Sequence, residues 1–206
     1  RLYDVAGDQF ITSINVTGVL WAIKFIDFNR IAVSTTSNRE IKIYDWRHQT
    51  LLHTLSGPLN ITHSIEILPN SLLATASLDP VGSLRIWNYS IGVLIRTINV
   101  TFGLYCVKYL PDRDLIAVGG LGSFKIQIWN YTSGSLIIEH GAHNSTIRTI
   151  EYSLEHKLVI SAGFDRSLVF FNTTSGLVIK ILHSVHDGNI FSIKILNNRL
   201  LATCSI

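Results

Sequence analysis

One short pattern returns at nearly constant spacing through the whole chain, and no other feature limits the fold as tightly. Ile41-Lys42-Ile43-Tyr44-Asp45-Trp46 is followed by Leu84-Arg85-Ile86-Trp87-Asn88-Tyr89 and by Ile126-Gln127-Ile128-Trp129-Asn130-Tyr131. A fourth copy reads Leu168-Val169-Phe170-Phe171-Asn172-Thr173, and a truncated one, Leu2-Tyr3-Asp4, opens the sequence. The aromatic residue of each copy stands at 3, 44, 87, 129 and 171, at intervals of 41, 43, 42 and 42. A unit of this size cannot shelter an apolar core alone and must lean on its neighbours. The 206 residues leave no stretch for a linker, so positions 1–206 read as a single repeat array.

Each unit divides into four short runs rich in β-branched and aromatic residues, bounded by Gly, Asn, Asp, Ser or Pro as strands and tight turns require. Innermost strands are expected at Ala22–Phe25, Ser64–Ile67, Cys106–Tyr109, Thr149–Tyr152 and Ser192–Ile195. Second strands are expected at Ile31–Thr35, Leu73–Ser77, Leu115–Gly119, Leu158–Ala162 and Leu200–Cys204. The signature is the third strand. The outer strand follows it at Gln9–Ser13, Leu51–Leu55, Val93–Ile98, Ser135–Glu139 and Leu177–Ile181. The period and the strand count predict an all-β β-propeller of four-stranded antiparallel blades, four of them complete, with strands of flanking blades at either end. A composition of 47% hydrophobic and 15% charged residues suits strands covered on both faces. The sequence holds no methionine and no signal-like segment, and Leu201-Ala202-Thr203-Cys204-Ser205 opens a strand whose partner is missing. The chain therefore reads as the middle of a longer ring, truncated at both ends.

The repeated signature resembles the WD-repeat family along essentially the whole chain. The resemblance implies a propeller that usually has seven blades. It also implies a structural hydrogen-bond network: a His before the inner strand, Ser or Thr on the second, Asp in the next turn and Trp on the third. That network is eroded here. One unit offers His143, Ser161 and Asp165 with Phe171 in the Trp position; another offers Thr75, Asp79 and Trp87 with Pro58 where the His belongs. The unit ending at Trp129 has Val100 and Val118 in polar positions, and His186 with Thr203 belongs to the final unit. An earlier unit keeps Ser34 and Tyr44, with Asn38 for Asp and Val16 for His.

A second column runs through the repeats. Trp21, His63, Tyr105, Arg148 and Phe191 stand just before a small residue of each inner strand, at intervals of 42, 42, 43 and 43. Ile147 and Ile150 are both core types, yet their opposite parity forbids one face of a regular strand; a β-bulge at Arg148 reconciles them and re-aims its side chain. In the family this position faces the narrow top surface around the central channel. Trp, Tyr and Arg are the types most enriched in binding hot spots, so these five are the expected partner-binding residues.

Other motifs carry less. Tyr44-Asp45-Trp46-Arg47 is similar to the motif by which some WD-repeat proteins dock onto the adaptor of a cullin-RING ubiquitin ligase, with Tyr44, Asp45 and Arg47 as the docking residues. It occurs once, and an ordinary strand end with an exposed Arg is the simpler account of so short a motif. His140-x-x-His143 and His183-x-x-His186 have metal-ligand spacing, but no Cys or carboxylate cluster completes a tetrahedral site, so no metal and no cofactor is expected. Gly119-Gly120-Leu121-Gly122-Ser123 lacks the Lys-Ser/Thr of a phosphate loop and reads as a turn. No nucleophile elbow and no paired carboxylates support catalysis.

A net charge of +3 without a run of Lys or Arg argues against nucleic acid and membrane as partners. Cys106 and Cys204 lie in non-adjacent repeats and are poorly placed to pair, which points to reduced, intracellular thiols. Seven Asn-x-Ser/Thr triplets, at Asn15, Asn60, Asn88, Asn99, Asn130, Asn144 and Asn172, would imply secretion if used, but three are the signature's own Asn followed by turn residues. The expected compartment is the cytoplasm, with the nucleus as the alternative. The expected function is a non-catalytic scaffold that binds a protein or peptide on the top face, within a multi-protein complex or a larger multidomain chain. The alternatives are a substrate receptor of a cullin-RING ligase and a nucleic-acid or phosphoinositide binder.

Overall fold

A computed structural model describes residues 2–4, 6–7, 9–80, 83–141, 143–197 and 199–206, and the described chain is all strand and turn. The first pair is β1 (Leu2–Asp4) and β2 (Gln9–Thr12). Four full sheets follow. They are β3 (Leu20–Phe25) to β6 (Thr50–Leu55), β7 (Thr62–Leu68) to β10 (Val93–Ile98), β11 (Gly103–Leu110) to β14 (Ser135–Gly141), and β15 (Ile147–Ser153) to β18 (Leu177–Leu182). Within them lie β4 (Arg30–Thr35), β5 (Ile41–Asp45), β8 (Leu72–Ser77), β9 (Leu84–Asn88), β12 (Leu115–Leu121), β13 (Lys125–Asn130), β16 (Leu158–Gly163) and β17 (Leu168–Asn172). The pair β19 (Ile190–Ile195) and β20 (Leu201–Ser205) ends the chain. Every sheet is a meander whose spatial order is its sequence order, and the two end pairs form separate sheets.

The sheets fan about an axis because their first strands lie side by side: β3 against β7, β7 against β11, β11 against β15 and β15 against β19. The core is divided into layers between successive sheets. Leu68, Ala74, Leu84 and Ile86 of one sheet meet Leu104, Val107, Ile116 and Val118 of the next, and Cys106, Leu110, Ile126 and Ile128 meet Ile147, Ile150, Val159 and Phe171 one layer on. Burying such side chains is worth about 1.5–3 kcal/mol each, and a sheet without neighbours would forfeit it. These are the four-stranded antiparallel blades of a propeller.

The first strands begin earlier than the sequence indicates, at 20, 62, 103, 147 and 190, because each continues back through a register shift. The shifts fall between Leu20 and Ala22, Thr62 and Ser64, Leu104 and Cys106, Ile147 and Thr149, and Ile190 and Ser192. The second strand also runs on past the expected end at Gly119, so Gly120 and Leu121 lie inside β12 and not in a turn. A Cβ on Gly120 would stand 2.0 Å from the Gly103 carbonyl oxygen, and one on Gly119 would stand 2.7 Å from Ile147 Cγ2. Close approach of the facing backbone at 120, and of the Ile147 side chain from the next sheet at 119, selects glycine here.

The outer strands β6, β10, β14 and β18 do not fit the idea that every apolar strand residue is covered. Leu52, Ile95, Ile137 and Ile179 are all exposed. Each is skipped by the register of its sheet, between 51 and 53, 94 and 96, 136 and 138, and 178 and 180. A bulge on an edge strand twists it away from further pairing and discourages sheet-to-sheet aggregation.

The signature's acidic or amide residue caps the turn that follows it. Asp45 Oδ1 accepts from the backbone N–H of Arg47 and His48, Asn130 Oδ1 from Thr132 and Ser133, and Asn172 Oδ1 from Thr174 and Ser175. Asn88 does the same for Ser90. This local bond accounts for three of the Asn-x-Ser/Thr triplets as turn chemistry.

Polar ties within the blades vary from sheet to sheet. His143 Nδ1 donates to Asp165 at 2.8 Å, and its Nε2 meets Ser161 Oγ at 2.7 Å. His186 Nε2 meets Thr203 Oγ1 at 2.7 Å. Trp87 Nε1 donates to Thr75 Oγ1 at 3.0 Å, whereas Trp129 Nε1 donates to Gln127 two residues back and does not reach the second strand. Where Pro58 replaces the His, Arg85 from the third strand pairs with Asp79 at 2.6 Å and also reaches Ser77. That ion pair is almost wholly buried, with side-chain exposures of 8% and 0%. Removing one member strands the other charge, so Asp79→Ala should cost about 3–5 kcal/mol in a urea unfolding curve; a loss below about 1 kcal/mol would contradict this placement.

Candidate functional site

Strands in each meander alternate in direction, so the start of the first strand, the turn between the second and third, and the end of the fourth share one rim of the fan. At that rim the bulged residue of each first strand is Trp21, His63, Tyr105, Arg148 or Phe191. The bulge lets Ile147 and Ile150 both be buried while Arg148 and Thr149 between them are half-exposed. Four of the five side chains form one continuous stack across four sheets. The rings of Trp21 and His63 meet edge to face at 4.7 Å, and those of His63 and Tyr105 do the same at 4.7 Å. The Arg148 guanidinium lies over the Tyr105 ring at 4.8 Å. Phe191 stands apart and packs on Phe164 at 5.3 Å.

Both ring nitrogens of His63 are buried without a hydrogen-bond partner. Burial first, and the positive charge of Arg148 second, push the His63 pKa down to about 4 from 6.5. Both effects oppose a second positive charge in the stack. The Tyr105 hydroxyl and the Arg148 guanidinium have no hydrogen bond or ion pair to any described residue.

Below this rim a third column lines the axis, three residues further along each first strand, and the sequence reading passed over it. Lys24 pairs with Glu66 at 2.6 Å, Glu66 with Lys108 at 3.8 Å, Lys108 with Glu151 at 2.9 Å and Glu151 with Lys194 at 2.8 Å. The positions repeat at the same period as the stack above them, which was the available signal. Burial alone would raise the Glu151 pKa, but hydrogen bonds from Lys194 and Lys108 outweigh it and hold the carboxyl below its ordinary 4.5. Burial disfavours the Lys108 charge, and the two glutamates more than restore it. The Trp21–His63 end of the stack and the ladder together border an open cleft of about 480 Å³, with Trp21, His63, Glu66, Lys108 and Glu151 among its walls.

The docking motif lies at the opposite rim. Tyr44 is buried, and Asp45 is committed to its turn and to His48 Nδ1 at 2.9 Å. Arg47 is exposed, with its guanidinium over Phe28 at 4.0 Å and over Trp46 at 4.8 Å. Asp165, His143 and Ser161 have the connectivity of a hydrolytic triad, but Ser161 is 0% exposed, so its hydroxyl cannot meet a substrate. Burial pushes the Cys106 thiol up to about 12, which makes it a core residue and not a nucleophile.

A depressed His63 pKa has a defined consequence. Between the unfolded value near 6.5 and the folded value near 4, the unfolded chain binds the proton more readily, so the His63 contribution to stability is intact above 6.5 and declines as pH falls towards 4. NMR titration of the histidine rings should find His63 protonating near 4, and Arg148→Gln should move it back up; a midpoint near 6.5 in the unmodified chain would contradict the buried stack.

The WD domain, G-beta repeat family profile matches residues 134–172. That segment contains β15 and β16, the unit in which His143, Ser161 and Asp165 are joined. Among curated proteins, U3 small nucleolar RNA-associated protein 12 of Saccharomyces cerevisiae is 31% identical over 155 residues, covering 68% of this chain and 16% of that protein. Pre-mRNA-processing factor 17 of Homo sapiens is 31% identical over 87 residues, covering 41% of the chain and 15% of the relative. The Periodic tryptophan protein 2 homolog of Dictyostelium discoideum is 30% identical over 95 residues, covering 45% and 10%. The chain thus matches only a small part of each relative's length. These names correct one expectation. Small nucleolar RNA and pre-mRNA belong to the nucleus, so the cytoplasmic assignment does not stand; reduced thiols fit either compartment and could not choose between them. With the four-stranded blades, the recurring third strand that ends in an aromatic residue and Asp or Asn, and these matches in agreement, the chain belongs to the WD-repeat β-propeller family.

Proposed function

We propose that this chain is an arc of a larger propeller, seven-bladed as the family usually is, and that it serves as a non-catalytic scaffold in a nuclear RNA-processing assembly. The partner is a protein or peptide, held at the rim that carries Trp21, His63, Tyr105, Arg148 and Phe191. The observation that carries this reading is the continuous Trp21–His63–Tyr105–Arg148 stack. A bulge costs ladder hydrogen bonds, and five in register at one rim place bulky side chains on a rigid platform instead of in the core. The names of the relatives supply the RNA-processing context.

Direct contact with RNA is less well supported than contact with protein. A net charge of +3 gives weak long-range attraction, and Lys24, Lys108 and Lys194 already face carboxylates. Adaptor docking through Arg47 remains a second reading, favoured by an exposed guanidinium without a carboxylate partner among the described residues.

Affinity purification from nuclear extract separates these readings. Tyr105→Ala combined with Arg148→Ala should weaken capture of direct partners by about 2 kcal/mol or more, the scale of a binding hot spot. An unchanged partner set would remove the stacked rim as the binding surface. Loss of partners with Arg47→Ala alone would move the site to the opposite rim.

A further inference from the structure

We propose that the rim site, if it binds a peptide as described above, recognises a carboxylate on it, held by Arg148 with the Tyr105 hydroxyl beside it. The Arg148 guanidinium carbon lies 4.8 Å from the centre of the Tyr105 ring, and none of its N–H donors is engaged by a described residue. A guanidinium held against a ring by this cation–π contact keeps those donors free for a planar, two-pronged acceptor. A carboxylate fits that fork with two parallel hydrogen bonds.

The charges around the cleft leave Arg148 without an internal partner. Its described wall carries the cations Lys24, Lys108 and Lys194 and the anions Glu66 and Glu151, and each glutamate is already bridged by two lysines. Arg148, three residues before Glu151 on the same strand, has no ion pair to any described residue. An entering carboxylate would therefore neutralise an unmatched positive charge without displacing an existing pair. The flanking Trp21 and Phe191 offer apolar surface, so the ligand is an acidic peptide with a hydrophobic neighbour to the acid.

The carboxylate could belong to an Asp or Glu side chain or to a chain terminus. An array of short peptides tests both sources with the purified chain. One set is amidated and contains pairs that differ only as Glu against Gln beside a Leu; a parallel set carries Gln and a free C-terminal carboxylate. Binding should favour Glu over Gln, or free acid over amide, by about tenfold to a hundredfold, the worth of a charge-assisted hydrogen bond. Arg148→Gln should erase that preference, and Tyr105→Phe, which keeps the stack, should reduce it. Melting curves of the variants confirm that each is folded, and Arg47→Ala at the far rim should leave the preference intact. Binding that depends on Trp21 but treats Glu and Gln alike would overturn the carboxylate proposal while leaving the rim site standing. No peptide binding at all, or binding insensitive to Trp21→Ala and Tyr105→Ala together, would overturn the rim site itself. Capture of a single-stranded RNA probe through Arg148, with steep salt dependence, would also overturn the proposal.

Discussion

Face-to-face burial between neighbouring sheets is the interaction on which everything else here rests. A four-stranded meander of about 42 residues leaves two broad apolar faces, and each is covered only by the next sheet around the axis. Leu104, Ile116 and Val118 on one side of a layer, with Ala76, Leu84 and Ile86 on the other, are almost completely removed from water. The same residues exposed on a lone sheet would drive it to aggregate. Polar networks are secondary to this. They differ in every blade, from the His143–Asp165–Ser161 set to the Arg85–Asp79 pair, while the apolar layers recur. Packing defines the architecture, and the polar ties fix it locally.

The bulged start of each first strand links this architecture to binding. A regular strand would send every second residue into a layer and would leave no bulky side chain at the rim. Skipping one residue puts Thr62 and Ile65, Leu104 and Val107, Ile147 and Ile150, and Ile190 and Ile193 all into the core. The skipped residue is then released towards the axis. The small backbone-only partner opposite two of these bulges, Gly120 and Gly163, is part of the same device, since a Cβ at either would stand 2.0 Å from a carbonyl oxygen of the facing strand. The rim stack and the lysine–glutamate ladder beneath it are both products of one backbone irregularity repeated around an axis.

Much of this was readable from the residues. The 42-residue period implies the blades, and the parity conflict between Ile147 and Ile150 implies the bulge. The ladder at 24, 66, 108, 151 and 194 was missed although it repeats just as regularly, because alternating Lys and Glu at single positions look like ordinary solvated strand residues until neighbouring strands are brought together. Arg85 was missed for a related reason: a buried Arg on a third strand has meaning only once Asp79 is seen to lack a His. The exposed Leu52, Ile95, Ile137 and Ile179 were invisible because apolar side chains at an edge bulge have the same composition as apolar side chains in a core. Gly120 imitates a turn in sequence and is instead placed by the backbone of the strand facing it. Local pattern thus revealed what repeats within a strand, and hid what depends on the strand beside it.

Zero-length cross-linking tests the radial arrangement most directly. A carbodiimide joins a lysine amine to a glutamate carboxylate only where the two already touch, so peptide mapping by mass spectrometry reads the contacts of the inner wall. Links of Lys24 to Glu66, Lys108 to Glu151 and Lys194 to Glu151 are predicted, each joining first strands of neighbouring sheets. If Lys125 and Glu139, paired within one sheet at 2.6 Å, cross-link while none of those between sheets does, the first strands do not line a common axis and the account fails.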